Sequence, residues 1–357
     1  METDRFGTDS GTLRDDEAID RSLLILIAKF LNMIHFYIRF LLTMTFLLVG
    51  VGACTMAQNE LYGINFTASG ISFAKVDMAT GEISIVSDGA ISSDGAVEGV
   101  ADIDPVNGQY FYLRGGGDMT RIYTVDVATG NVLANPFVEN PNESSVSLTN
   151  IAYDWINGTM YGLSPNYNGV DEMYLAAVDP MTGAMDILSE NPIAPGNYYG
   201  SGNADIDPIG QRYFFTSEDK IVTTDLTTGA NLFNPILNFP QGNGTSFLVN
   251  ITYDWLNDVL YGLFFEGGPP GALSLVSIDY TNGDINLISQ TPISPDGFSN
   301  SVCDIDPINN RYFYIRSNIL YIVDLTTGEA TQEISLINPN GGFIPITSIA
   351  YPETEII

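Results

Sequence analysis

Histidine is nearly missing from this chain. There is one in 357 residues, His35, and it falls in an N-terminal stretch unlike the rest. A body without histidine has no imidazole general base, no imidazole metal ligand and no Ser-His-Asp triad. Cysteine is almost as rare: Cys54 lies in the same N-terminal stretch and Cys303 in a β-rich run, so the body forms no internal disulfide. Lysine and arginine total 12 against 43 acidic residues, a formal charge of −31. Five of those cations (Arg5, Arg14, Arg21, Lys29, Arg39) precede residue 58. A surface this acidic repels phosphate backbones, which argues against nucleic acid and for cations or cationic surfaces as partners. The same charge also keeps the protein soluble.

What the chain has in abundance is one turn. It reads Asp77-Met-Ala-Thr-Gly81, Asp126-Val-Ala-Thr-Gly130, Asp179-Pro-Met-Thr-Gly183, Asp225-Leu-Thr-Thr-Gly229, Asp279-Tyr-Thr-Asn-Gly283 and Asp324-Leu-Thr-Thr-Gly328. Each copy lies between two short β-rich runs. Aspartate bonds its own downstream backbone N–H groups and glycine takes the positive φ that ends the turn, as a hairpin requires. Recurrence at intervals of about fifty residues marks a repeat protein.

The other half of the unit is equally regular. Val100-Ala-Asp-Ile-Asp-Pro105, Asn203-Ala-Asp-Ile-Asp-Pro208 and Val302-Cys-Asp-Ile-Asp-Pro307 alternate with Asn150-Ile-Ala-Tyr-Asp-Trp155 and Asn250-Ile-Thr-Tyr-Asp-Trp255. Each is followed by an aromatic or apolar strand. A unit therefore has four strands, A to D, and such units repeated about a ring describe a β-propeller. The first unit, from Glu60, lacks strand A, whereas Ser348-Ile-Ala-Tyr351 is a strand A with no unit of its own. The expected fold is all-β: a six-bladed β-propeller closed by the C-terminal strand pairing into the first blade, which removes the open edges. Residues 58–357 are the expected propeller.

Residues 1–57 read as a leader. Met33 begins a basic n-region and an apolar run that ends at Thr55-Met-Ala57, the pattern of a secretory signal, with residues 1–32 an over-extended start. Cleavage after Ala57 is the favoured route. Val51-Gly-Ala-Cys54 resembles a bacterial lipobox, which would leave Cys54 lipidated, and the apolar span is also roughly long enough to remain an uncleaved anchor. Each route puts the propeller outside the cytoplasm, with the membrane touched only through the leader or Cys54.

Aligning strand A across the blades gives one informative column: Asp102, Ala152, Asp205, Thr252, Asp304 and Ala350. Three carboxylates recur at every second blade, on the strand nearest the axis. Converging in a tunnel they would repel one another, and a hard cation such as Ca²⁺ would relieve that. Asp102, Asp205 and Asp304 are thus candidate metal ligands. The competing reading has each one accepting backbone N–H groups of a neighbouring blade. The turn aspartates Asp104, Asp154, Asp207, Asp254 and Asp306 and the Asp-x-x-Thr-Gly set read as structural. Cys303 reads as a small buried apolar residue. Trp155 and Trp255 read as covers for blade ends on the plain face of the disc. The long connections, on the opposite face, carry Phe66, Tyr167, Tyr198, Tyr199, Phe298 and Phe343, a candidate platform for a protein, peptide or carbohydrate ligand. The Asn-x-Ser/Thr triplets at Asn65, Asn142, Asn157, Asn243 and Asn250 carry little meaning beside a bacterial-type leader.

Over residues 59–357 the chain resembles the broad class of secreted six-bladed propellers that includes the SMP-30/gluconolactonase-like, NHL-like and TolB-like groups. The resemblance is architectural. In lactonases of this shape Glu, Asn and Asp from different blades hold a divalent metal at the tunnel mouth. Asp102, Asp205 and Asp304 would take that part here, but no inner strand offers the matching glutamate. The Asp boxes and arginine triad of sialidases are absent, as is a quinone-enzyme tryptophan docking motif. The expectation is an exported binding or interaction module without catalytic residues or organic cofactor, steadied by a cation in the tunnel. The alternatives are a metal-dependent hydrolase or lactonase using the three aspartates, and a structural cell-surface component.

Overall fold

The computed structural model describes residues 59–67, 70–92, 99–114, 120–139, 148–166, 172–195, 204–240, 246–267, 271–294, 303–338 and 346–352. Residues 1–58, with Met33, His35, Cys54 and Ala57, lie outside these residues, as do Tyr167, Tyr198, Tyr199, Phe298 and Phe343.

The described residues form six antiparallel sheets. Blade 1 holds β1 (Glu60–Thr67), β2 (Gly70–Asp77) and β3 (Ile83–Ile85). Blade 2 holds β4 (Gly99–Asp104), β5 (Gln109–Arg114), β6 (Arg121–Asp126) and β7 (Val132–Ala134). Blade 3 holds β8 (Thr149–Asp154), β9 (Thr159–Asn166), β10 (Glu172–Val178) and β11 (Met185–Ile187), with the two-residue β12 (Ala194–Pro195) also pairing with β10. Blade 4 holds β13 (Ala204–Asp207), β14 (Arg212–Ser217), β15 (Lys220–Asp225) and β16 (Asn231–Phe233). Blade 5 holds β17 (Phe247–Asp254), β18 (Val259–Glu266), β19 (Ala272–Ile278) and β20 (Ile285–Leu287). Blade 6 holds β21 (Cys303–Asp306), β22 (Arg311–Arg316), β23 (Ile319–Asp324) and β24 (Ala330–Ser335). The last strand, β25 (Ile346–Ala350), pairs antiparallel with β1 and supplies the missing strand A of blade 1. The six A strands touch in the order β25, β4, β8, β13, β17, β21 and back to β25, so the ring is a closed six-bladed β-propeller.

The second strand of each blade explains why its apolar residues do not alternate with polar ones. Tyr110, Phe111 and Tyr112 are consecutive and all fully buried, as are Tyr213, Phe214 and Phe215 and Tyr312, Phe313 and Tyr314. Each blade is packed on both faces by its neighbours, so both sides of the strand need apolar surface. Six apolar clusters fill the six gaps between adjacent blades, for example Phe111, Ile151, Tyr153 and Met160 between blades 2 and 3.

The turns behave as their chemistry requires. Asp77 Oδ1 accepts the N–H groups of Ala79 (2.7 Å) and Thr80 (3.0 Å), and Gly81 takes a φ of 75°. The A–B turns repeat the device, with Asp104 Oδ1 accepting from Val106 and Asn107 and Asp254 Oδ1 from Leu256 and Asn257. Glycine does a second job in the Thr-Gly turns. A Cβ on Gly183 would overlap the carbonyl oxygen of Phe137 in blade 2, because the two chains hydrogen-bond there: Glu139 N–H donates to Gly183 O at 2.9 Å. Equivalent crossings run from Ile337 to Gly81 and from Asn238 to Gly283, joining blade 6 to 1 and blade 4 to 5.

Odd and even blades differ in the strand nearest the axis. β8, β17 and β25 each carry a register shift, at Asn150–Ile151, at Val249 and at Ser348–Ile349. Asn150 and Ser348 have φ of 50° and 53°, a region in which asparagine is enriched. The carbonyls turned out by these bulges are used: Tyr110 Oη donates to Ser348 O at 2.5 Å and Tyr213 Oη to Asn150 O.

Candidate functional site: the axial waist and its aromatic mouth

Strand A of each even blade brings one aspartate to the axis. The ladder to strand B fixes its register, with Asp102 opposite Phe111, Asp205 opposite Phe214 and Asp304 opposite Phe313. Each Oδ1 accepts the next residue's own N–H, from Ile103 and Ile206 at 2.7 Å and from Ile305 at 2.8 Å. Each Oδ2 reaches across to the following blade and accepts the N–H of Tyr153, Tyr253 or Tyr351, in all three cases at 2.5 Å. Thr252 Oγ1 adds a third bond to Asp205 at 2.8 Å. Strand A is the inner edge of each sheet, and the aspartates supply acceptors to the tyrosine N–H groups on that open side.

Protein surrounds these carboxylates, yet they keep contact with two small axial cavities. One, of about 60 Å³, opens past Pro105, Pro208, Tyr153, Tyr253, Tyr351, Trp155 and Trp255. The other, of about 40 Å³, is lined by small and aliphatic residues including Ala101, Ala204, Ile151, Ile251 and Cys303. Asp102, Asp205 and Asp304 line both, so they form the waist between them. Among the described residues no lysine or arginine lines either cavity. Burial, with repulsion from Asp205, pushes the Asp102 carboxyl up to about 7. Burial pushes Asp205 up to about 6 against the pull of its N–H partners. Burial also raises Asp304, and Asp102 and Asp205 repel its charge. Cys303 is buried, and burial raises its thiol, as fits a small core residue rather than a nucleophile.

The tryptophans cover blade ends as expected, Trp155 packing on the cluster between blades 2 and 3 and Trp255 on that between blades 4 and 5, and they also meet each other. Trp155 and Trp255 come from blades 3 and 5, yet their rings meet edge to face with centroids 6.1 Å apart and an interplanar angle of 73°. They lean inward over the cavity that leads to the aspartates, and each is partly exposed. The face with the short A–B turns therefore carries an aromatic mouth. The sequence signal was position: both residues immediately follow the innermost strand, in the column held by Pro105 and Pro208 on even blades. Phe66, on the opposite face, is partly buried and packs into the cluster between blades 1 and 2.

Around the mouth the blades are tied by polar contacts. Tyr153 Oη donates to Asp104 Oδ2 at 3.0 Å. Arg212 holds Asp207 of its own blade at 2.5 Å and reaches Asp258 (2.8 Å) and Tyr253 Oη (2.8 Å) of blade 5. Arg311 pairs with Asp306 at 2.5 Å and reaches Tyr351 Oη at 3.2 Å. These arginines are engaged in joining blades, outside the axial cavities. The carboxylate oxygens of the waist face N–H donors, and among the described residues no group of three or more His, Cys, Asp or Glu is placed to hold a metal ion.

No protein-family model matches the chain, and no curated protein matches it in sequence. Solved structures do resemble it. TolB from Acinetobacter baumannii is 15% identical with a TM-score of 0.51, over 84% of this chain and 68% of that one. A luciferin-regenerating enzyme is 12% identical with a TM-score of 0.45, over 84% of this chain and 92% of its own. Puromycin hydrolase is 11% identical with a TM-score of 0.46, over 80% of this chain and 46% of its own. At these identities the likeness is one of fold, and the class it defines is the β-propeller with TolB-like structural neighbours.

Proposed function

We propose that this protein is an extracytoplasmic binding module that receives its ligand at the axial mouth and performs no chemistry on it. The observation that carries the reading is the pairing of Trp155 with Trp255 over a cavity whose floor is Asp102, Asp205 and Asp304. Aromatic walls with a few convergent polar groups are the usual make-up of a binding pocket. The chemistry around it favours binding over catalysis. The carboxylates are engaged by backbone N–H groups, the cysteine is buried away from the mouth, and the propeller sequence contains no histidine. The signal-like leader supports export.

The chain's two tryptophans both stand at the mouth, so intrinsic indole fluorescence reports on this site. Screened against small amines, sugars, short peptides and aromatic acids, the protein is expected to give a saturable response to one class and none when both tryptophans are replaced by phenylalanine and binding is followed by calorimetry. Turnover of a lactone or ester that disappears in Asp205→Asn would contradict the reading.

A further inference from the structure

The mouth has a chemical preference written into it. Trp155 and Trp255 stand at its rim, tyrosines and isoleucines of the A strands line it, three carboxylates form its floor, and among the described residues no cationic side chain lines it. A carboxylate has about four acceptor positions, of which Asp102 and Asp304 use two each and Asp205 three for the bonds described above. Acceptor capacity therefore remains on all three. They recur at every second blade, in a pseudo-threefold arrangement, and a primary ammonium carries three donors about a threefold axis. Ammonium-to-carboxylate bonds are about 2.7–2.9 Å long. A cavity of about 60 Å³ has room for a few waters, or for the aminomethyl head of an alkylamine in their place. Indole rings attract cations at their faces and pack on methylene stems along their edges. The overall charge of −31 draws cations toward the protein.

We infer that the axial mouth binds a primary alkylammonium group, its –NH₃⁺ seated among Asp102, Asp205 and Asp304 and its methylene stem lying against the outer side of the Trp155–Trp255 pair. The inference rests on the mouth being the binding site and adds the class of ligand. The group is one that a free alkylamine or a lysine side chain of a partner presents. Seating a cation at the waist also favours the ionised form of carboxyls that burial holds above their ordinary range. The titratable groups facing them include Asp104, Tyr110 and Tyr153 at Asp102, Asp207 and Cys303 at Asp205, and Cys303 and Tyr312 at Asp304. Binding then strengthens as pH rises through 6 to 7 and releases protons.

The test is a fluorescence titration of the full-length protein with n-butylammonium chloride, against n-butanol, NaCl of equal ionic strength, and CaCl₂. A saturable change with the amine alone is expected, about tenfold weaker at pH 5 than at pH 7.5. Asp205→Asn and Asp304→Asn should each weaken it about tenfold or more. Trp155→Leu, which leaves the waist intact, should weaken it about threefold. Nα-acetyl-lysine methylamide separates the sources: binding comparable to butylammonium assigns a lysine side chain, and loss of binding assigns a free amine. Equal responses to butanol and butylammonium would overturn the inference. So would a saturable response to CaCl₂ without one to the amine, or unchanged amine affinity in folded Asn variants. A response to sugars or aromatic acids but not to amines would overturn the ligand class and leave the mouth as the site, whereas silence to every probe would overturn both.

Discussion

Asp205 of blade 4 accepts the backbone N–H of Tyr253 of blade 5 at 2.5 Å, and the same bond recurs from Asp102 to Tyr153 and from Asp304 to Tyr351. One side chain thus serves the open inner edge of the next blade's sheet, where no strand pairs. Removing it leaves buried N–H groups without an acceptor. Asp304→Ala is expected to destabilise the protein by about 2–3 kcal/mol, read by urea unfolding at neutral pH, since each orphaned buried donor costs about 1–3 kcal/mol. A change under half of that would show that the waist is not an interblade joint.

The waist and the turns pull stability in opposite directions with pH. Asp102 and Asp205 sit above the ordinary carboxyl value of 3.8, at about 7 and about 6. The folded state therefore holds protons that the unfolded chain has released, and their contribution is full below 3.8 and lost as pH rises through 6 and 7. Asp77 and Asp279 are held below that value, Asp77 chiefly by the N–H of Ala79 and Asp279 chiefly by the hydroxyl of Thr281. Their contribution is present above it and fades in acid. The melting temperature is expected to peak near pH 5 and to decline toward pH 8. The decline should flatten in the double variant Asp102→Asn/Asp205→Asn, measured by calorimetry across that range.

Two glycines of similar φ, one in an A–B turn and one in a Thr-Gly turn, separate backbone conformation from close approach. Gly108 has a φ of 64° and open space where an alanine methyl would stand, whereas Gly183 has a φ of 78° and would drive that methyl into the backbone of Phe137. Gly108→Ala should cost about 1 kcal/mol, the left-handed penalty alone. Gly183→Ala should cost several-fold more, because two blades must separate. Similar losses for the two in denaturant unfolding would show that the interblade approach carries no weight.

Arg212 is the densest polar joint on the rim, with Asp207 almost fully buried beneath it. Arg212→Met is expected to destabilise by about 3 kcal/mol, the cost of leaving a buried carboxylate without its partner. Arg212→Lys should recover only part of this, because an ammonium cannot reach Asp207, Asp258 and Tyr253 together. Unfolding free energies of the two variants check both statements.

The legible parts of this molecule are those set by local chemistry. The Asp-x-x-Thr-Gly turns are visible because the turn itself demands aspartate and glycine. The closure by β25 is visible because Ser348-Ile-Ala-Tyr351 repeats a strand whose blade lies at the other end of the chain. The aspartate column is visible because strand register is periodic, and one of its two readings, the backbone bond to the next blade, is the arrangement found. The mouth was not legible. Trp155 and Trp255 belong to blades that are not neighbours, and their meeting depends on how far each turn leans toward the axis, which no local pattern states. The two-residue strand β12 was missed because Ala194–Pro195 carries no β-rich run. The interblade crossings at Glu139, Asn238 and Ile337 were missed because backbone pairs with backbone there and leaves side chains little to encode.

A ligand entering beside Trp155 and Trp255 can be read one atom from the rings. Protein labelled with 5-fluorotryptophan should give two ¹⁹F resonances, one for each tryptophan of the chain. Both are expected to move together, saturably, as n-butylammonium is added, and neither with n-butanol. Binding detected by calorimetry while both resonances stay fixed would place the ligand elsewhere on the propeller and contradict entry at the mouth.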